Sequence, residues 1–305
     1  MKNIYSTIGK LSVCLLTAIM IYGCGKKGTE QVSVQVRGSD TEVNLVQRLA
    51  EEFMKTDPDL SISVTGGGSG TGIAALINKQ TDIANSSRSM KEKELQQAKD
   101  KGVDPVGIVF ALDGLALIVH ESVAVDSLNL GEVAKIFKGE ITTWSEVGGP
   151  DTEISLYGRQ SNSGTYVYFR DNVLKGDYSL RARRMNGTSQ IVEAVKQDKA
   201  AIGYVGIGYA VNEKGAVVPG LKVLNISKDE RSAAVSPLEA ENVKSGLYSL
   251  SRPLYQYTDG KPSGKILEFI QFELSEKGQQ LVEKEGYYPV TPEHVEGNRK
   301  LGIVE

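Results

Sequence analysis

Residues 32–59 read VSVQVRGSDTEVNLVQRLAEEFMKTDPD, and the hydrophobic period changes partway through them. Val32, Val34 and Val36 alternate with polar residues, which is the pattern of a strand with one buried face. Beyond Glu42 the spacing lengthens, and Val43, Val46, Leu49, Ala50 and Phe53 fall on one face of a helix. Ser39-x-x-Glu42 has the form of a capping box, so the helix is expected to start at or beside Ser39. Asp57-Pro58 is expected to end it. A strand that passes through a short turn of small residues into a helix is the repeating unit of an α/β fold.

The unit recurs along the chain. LSISV (60–64) is a strand, TGGGSGTG (65–72) a glycine-rich turn and IAALINKQ (73–80) a helix. TDIANSS (81–87) is a strand, and Ser89-x-x-Glu92 is expected to cap a helix through about Lys101. VGIVFALDGLALIVH (106–120) is a long apolar strand interrupted at Asp113-Gly114. LGEVAKIFKG (130–139) is helical with Val133, Ile136 and Phe137 inward. ISLYGR (154–159) is a strand leading into a helix over 164–174 closed by Gly176. A further helix (SQIVEAVKQD), a glycine-rich strand and turn (AIGYVGIGYA), a strand (LYSLSRPLYQYT) and a C-terminal helical run (264–286) complete the pass. Strands alternating with helices argue for a largely parallel or mixed sheet. The 305 residues allow two lobes.

The N-terminus is of another kind. Lys2 and Lys10 precede an apolar run from Leu11 to Tyr22 that is short for a membrane span, so residues 1–23 are expected to be a signal peptide. IYGC (21–24) resembles a bacterial lipobox, which makes Cys24 the expected lipidation site and residues 24–31 a tether. An uncleaved N-terminal anchor helix is the alternative. Either reading puts the protein at a membrane surface outside the cytoplasm. Cys14 and Cys24 are the only cysteines, so the mature fold is expected to lack a disulfide. Loss of Lys2 and Lys10 leaves 33 basic against 38 acidic residues, a net charge of −5. That balance gives no reason to expect a nucleic-acid partner.

Four small-residue segments flank the expected helices: RGSDT (37–41), GGGSGTG (66–72), NSSR (85–88) and RQSNSGT (159–165). First-turn amides of a helix lack backbone partners and the helix dipole adds positive potential, so such starts bind anions. Arg88 and Arg159 can add planar donors matched to an oxyanion. Each segment alone could be an ordinary cap or turn. Three of them follow a strand and open a helix, which gathers them at one sheet edge, where ligands of open α/β sheets sit. No phosphate-loop lysine follows Gly72, and no G-x-G-x-x-G occurs there. Neither His120 nor His294 has metal-ligand spacing, and no hydrolase motif with a base is present. Metal, cofactor and catalytic residues are therefore not expected. Trp144 is expected to pack at a surface, where it could report lobe movement.

Taken together, RGSDT, GGGSGTGIAAL, TDIANSSR, KIFKGEITTWSEVGG, GRQSNSGTYVYF and GYVGIGYA resemble the lipoprotein phosphate-binding component of bacterial phosphate ABC transporters. The likeness runs from about Val32 to Tyr288. It implies a two-lobed periplasmic-binding-protein fold of type II, each lobe a mixed sheet flanked by helices, joined by crossing hinge strands. Lobe 1 would comprise residues 32–113 and 252–305, and lobe 2 residues 114–251. It also implies a monomer that captures inorganic phosphate and docks on ABC transporter permease subunits. Ser39, Asp40 and Thr41 would contact phosphate from the first helix start, Ser69 from the glycine turn, and Arg159, Ser163, Gly164 and Thr165 from the other lobe. Ser87 departs from the pattern, since many longer members carry an aspartate there that accepts a proton from phosphate and so excludes sulfate. Asp113 is the expected replacement acceptor, with Arg88 adding charge. Another oxyanion such as sulfate or molybdate, a phosphate sensor, and a serine esterase or phosphatase built on Ser163 and Arg159 are the alternatives.

Overall fold

The computed structural model describes residues 32–305. The expected signal peptide, tether and lipidated Cys24 lie outside the described residues. The expected α/β alternation is present. In chain order the elements are β1 (Val32–Gly38), α1 (Val43–Met54), β2 (Leu60–Thr65), α2 (Ser69–Ile77), β3 (Ile83–Ser86), α3 (Glu92–Asp100) and β4 (Pro105–His120). Then come β5 (Ser127–Asn129), α4 (Leu130–Lys138), β6 (Ser155–Arg159), α5 (Gly164–Phe169), β7 (Arg183–Met185), α6 (Thr188–Gln197) and β8 (Ala201–Gly206). The chain ends with β9 (Leu221–Val223), β10 (Asn225–Ser227), α7 (Ala240–Lys244), β11 (Ser251–Asp259), α8 (Gly264–Leu274), α9 (Glu276–Lys284) and α10 (Pro292–Lys300).

The main sheet runs β2-β1-β3-β11-β4-β8-β6-β7, with β9 also on β4. β4 divides it. Up to Gly114 it pairs antiparallel with β11; from Leu115 it pairs antiparallel with β8. One half thus holds parallel β2, β1 and β3 with antiparallel β11, and the other holds parallel β8, β6 and β7. The sequence shows an interruption at Asp113-Gly114; the backbone shows one continuous strand that changes partners there. Both faces of this strand are covered, and every residue from Phe110 to Val119 is buried, as expected of a strand common to two layers. The chain is an α/β protein of two lobes.

Several boundaries differ from the sequence reading for local reasons. α1 begins at Val43, not Ser39, because residues 40–42 form a turn in which Thr41 N–H donates to Ser39 Oγ at 3.2 Å. α3 starts after Lys91, whose N–H donates to the Glu94 carboxylate at 2.8 Å, rather than being capped by Ser89 and Glu92. The 164–174 helix loosens into a π turn over Arg170–Leu174 and ends at left-handed Lys175, one residue before Gly176. The C-terminal run breaks at Ser275, whose hydroxyl accepts Gly278 N–H at 3.2 Å and caps α9. Trp144 lies wholly in the core of the second half, its indole N–H donating to Ala200 O at 3.0 Å. It is a packing residue, not a surface reporter.

Candidate functional site

Because β1, β2 and β3 are parallel, their C-terminal ends share one edge. The turns into α1 and α2, and the loop after β3, therefore meet there. β6 brings Arg159 and the start of α5 to the same place from the other half. The two groups of segments are in contact. Thr41 and Thr165 hydroxyls share a hydrogen bond of 2.7 Å. Gly70 N–H donates to Asn162 O at 2.9 Å, and Asn162 Nδ2 returns a bond to Gly67 O at 2.9 Å. Tyr209 OH, from the second half, donates to Asp40 O at 2.7 Å.

The seam is close enough to dictate residue size. A Cβ on Gly164 would collide with the Ser69 and Ser87 hydroxyls. Those two hydroxyls lie 3.4 Å apart, and Ser69 Oγ accepts Ser87 N–H at 3.1 Å. Gly68, at φ +93°, turns the backbone so that its own Cα faces Asn162 O and Ser163 N. Ser39, Thr41, Ser69, Ser87, Ser163 and Thr165 are all buried here. Ser69, Gly164 and Thr165 also stand in first helical turns, where amides have no intrahelical acceptor.

Arg159 is 2% exposed and heavily engaged. Nη1 donates to Thr188 Oγ1 at 2.8 Å; Nη2 donates to Asn186 O at 2.9 Å and to the Asp40 carboxylate. Its Nε is buried without an acceptor. Burial pushes the Tyr204 phenol, which accepts Arg159 N–H at 3.0 Å, up to about 12, so it stays protonated.

The floor of the site contains a group absent from the sequence reading. Arg252 on β11 faces Asp113 on β4 in register, at the point where β4 changes sheets. Its Nε and Nη2 bond Asp113 Oδ2 at 3.0 and 2.8 Å, Nη1 reaches Ser87 O at 3.2 Å, and Nη2 also reaches Thr165 Oγ1 at 3.0 Å. The Tyr168 ring lies 5.2 Å from the guanidinium carbon. Asp113 Oδ1 accepts Ile207 N–H at 3.0 Å. Asp113 therefore does not stand free as the expected proton acceptor; its oxygens hold Arg252 and the β8 end. Arg88 is engaged with α3. Both of its terminal nitrogens bond Glu94 at 2.7 Å and brace α3, while its Nε is buried without an acceptor. Arg252 carried a signal: in LSRPL it shares strand parity with Leu250 and Leu254, both buried.

A two-lobed fold with buried hydroxyls, first-turn amides and an arginine with a buried spare donor at the lobe seam defines a solute-binding protein suited to a small oxyanion. The chain belongs to the PBP superfamily, whose domain matches residues 25–277, and within it to the family of the phosphate-binding proteins PstS. The Pseudomonas aeruginosa phosphate-binding protein PstS is 34% identical over 285 residues, covering 87% of this chain and 86% of the relative. That of Borreliella burgdorferi is 28% identical over 284 residues, covering 90% and 96%. Among solved structures, a phosphate ABC transporter substrate-binding protein with bound phosphate from Clostridium perfringens aligns with a TM-score of 0.74 at 28% identity, over 85% of this chain and all of that one. An ABC-type phosphate transport receptor from Vibrio cholerae aligns at 0.66 and 27%, over 84% and 100%.

Proposed function

We propose that this protein captures inorganic phosphate between its lobes and delivers it to an ABC permease on the extracytoplasmic face of a cell membrane, anchored there by lipid on Cys24. Lobe 1 is residues 32–113 with 252–305, and lobe 2 is 114–251. Ser39, Thr41 and Ser69 supply donors from lobe 1, and Arg159, Ser163, Gly164 and Thr165 from lobe 2. Arg252 and Ser87 form the floor, while Asp40 and Asp113 hold the two arginines in place. The observation that carries this reading is the Arg159 Nε, buried with no acceptor beside the meeting helix starts. Such a donor strongly favours an anion opposite it.

The reading is of a binding protein, not an enzyme. Ser163 Oγ accepts Tyr166 N–H at 3.3 Å as a helix cap. His120 bonds Ser122 and His294 bonds Thr291, so each histidine is engaged locally, away from Ser163. The test is calorimetric titration of residues 25–305 with phosphate and with sulfate. Phosphate should bind, and Arg159→Ala should weaken it by roughly a hundredfold or more, since bonds from a charged donor to a desolvated anion are lost. Unchanged affinity in that variant would remove Arg159 from the site, and equal affinity for sulfate would change the ligand.

A further inference from the structure

Glu42 follows Thr41 directly and is fully buried, yet neither of its carboxyl oxygens has a hydrogen-bond partner. Groups from several elements act on it. Ser39 in its own turn, Arg252 on β11 and Asp113 on β4 act on its charge. Glu273 on α8 and Tyr287 after α9 sense its charge. The Ser39 hydroxyl favours the anion without forming an aligned bond to it. The start of α1 also favours the anion. Burial outweighs both and pushes the Glu42 carboxyl well above the usual carboxylate range. Arg252 and Asp113 cancel each other, as do Arg159 and Asp40. The charge of the seam thus depends on Glu42: neutral when it keeps its proton, net negative when it does not.

We propose that Glu42 is a positioning residue that carries a proton beneath the anion site, making the site competent for dianionic phosphate only while that proton stays on. The consequence passes through Ser39. Its oxygen already accepts Thr41 N–H, leaving one hydroxyl hydrogen to give. With Glu42 protonated, that hydrogen is available to a phosphate oxygen. When Glu42 releases its proton to solvent, the carboxylate claims the Ser39 hydrogen, and Ser39 offers phosphate only lone pairs. Phosphate binding and proton retention are therefore linked: the dianion draws a proton back onto Glu42 wherever the free protein has lost it.

This inference rests on the phosphate reading, and its test separates the two. Phosphate affinity is measured by calorimetry from about pH 8 to about pH 10, where the ligand stays dianionic and buried glutamates can titrate. Wild-type affinity should fall, approaching about tenfold per pH unit once Glu42 ionises in the free protein. In Glu42→Gln that fall should vanish, and so should the proton uptake found by comparing buffers of different ionisation enthalpy. If wild type does not bind phosphate at about pH 8, the functional reading fails. If it binds but both proteins show the same pH profile and proton uptake, only the role of Glu42 fails. Glu42→Met repeats the comparison should Glu42→Gln not fold. Wild type alone supplies a further check in infrared spectra: adding phosphate at high pH should increase a protonated-carboxyl band. No such increase together with no proton uptake would overturn the proposal.

Discussion

Arg252 and Asp113 form an ion pair excluded from water, and such a pair adds little net stability unless its remaining hydrogen-bonding groups are also satisfied. Here they are: the guanidinium reaches Ser87 O and Thr165 Oγ1, and the second carboxylate oxygen takes Ile207 N–H. Removing one partner leaves the other as an uncompensated buried charge. Arg252→Met should therefore destabilise the fold by about 3–5 kcal/mol, read from the midpoint of denaturant unfolding. Asp113→Asn separates the two roles considered for this residue. If Asp113 were the acceptor of a phosphate proton, the change would relax discrimination against sulfate. Its oxygens hold Arg252 instead, so stability should fall while the phosphate-to-sulfate affinity ratio stays unchanged, as competition calorimetry would show.

At the scale of elements, the site consists of helix starts brought close enough for backbones and hydroxyls to meet. α5 begins where Gly164 lies against Ser69 and Ser87, so an added methyl has no space while the halves are in contact. In a separated arrangement the same methyl would face solvent. Gly164→Ala should accordingly weaken phosphate binding by at least tenfold with little loss of stability in the free protein, a split measured by titration alongside unfolding. A comparable loss of stability would mean that the halves do not separate. These segments were readable from sequence because turn chemistry is local: glycines, hydroxyls and Arg159 announce themselves between two hydrophobic periods. For Arg252 strand parity signals burial but not role, because a single arginine in an apolar strand gains its meaning from a register partner 139 positions away. Asn162 carries no signal of its own for the same reason, since its partners Gly67 and Gly70 lie in the other half. Glu42 reads as a cap in sequence, because the spacing Ser39-x-x-Glu42 fits a box that a turn at residues 40–42 pre-empts. Arg88 stands out in sequence as a planar donor within NSSR, and its pairing with Glu94 is not legible there because Glu94 reads as part of a helix start.

Among the described residues, the acidic composition includes two fully buried carboxyls, Glu42 and Glu273, that behave oppositely to carboxylates paired with surface lysines. Glu273 is fully buried, like Glu42; one oxygen takes Gln256 Nε2 at 3.1 Å and the other has no partner. Burial pushes its carboxyl well above the usual range, the Gln256 bond offsets this only in part, and the nearby Glu42 adds to the rise. The sign of the linkage follows. A carboxyl with a raised folded-state pKa binds its proton more tightly folded than unfolded, so its contribution is fully present below the unfolded value near 4.3 and is lost as pH rises through the folded value. Surface carboxylates paired with lysine act in the other direction: the Lys277 and Lys55 ammonium groups hold Glu52 down to about 2, and that contribution disappears only in strong acid. Glu273→Gln keeps an acceptor for Gln256 and removes the titration. It should flatten the decline in unfolding free energy from about pH 5 upward and raise stability at neutral pH by about 1–3 kcal/mol, seen as diverging denaturation midpoints for variant and wild type across that range. Since Glu273 lies on α8, away from the hydroxyls of the seam, the gain should appear with phosphate affinity intact. A variant that gained stability but lost phosphate would show instead that the two buried acids act as one unit.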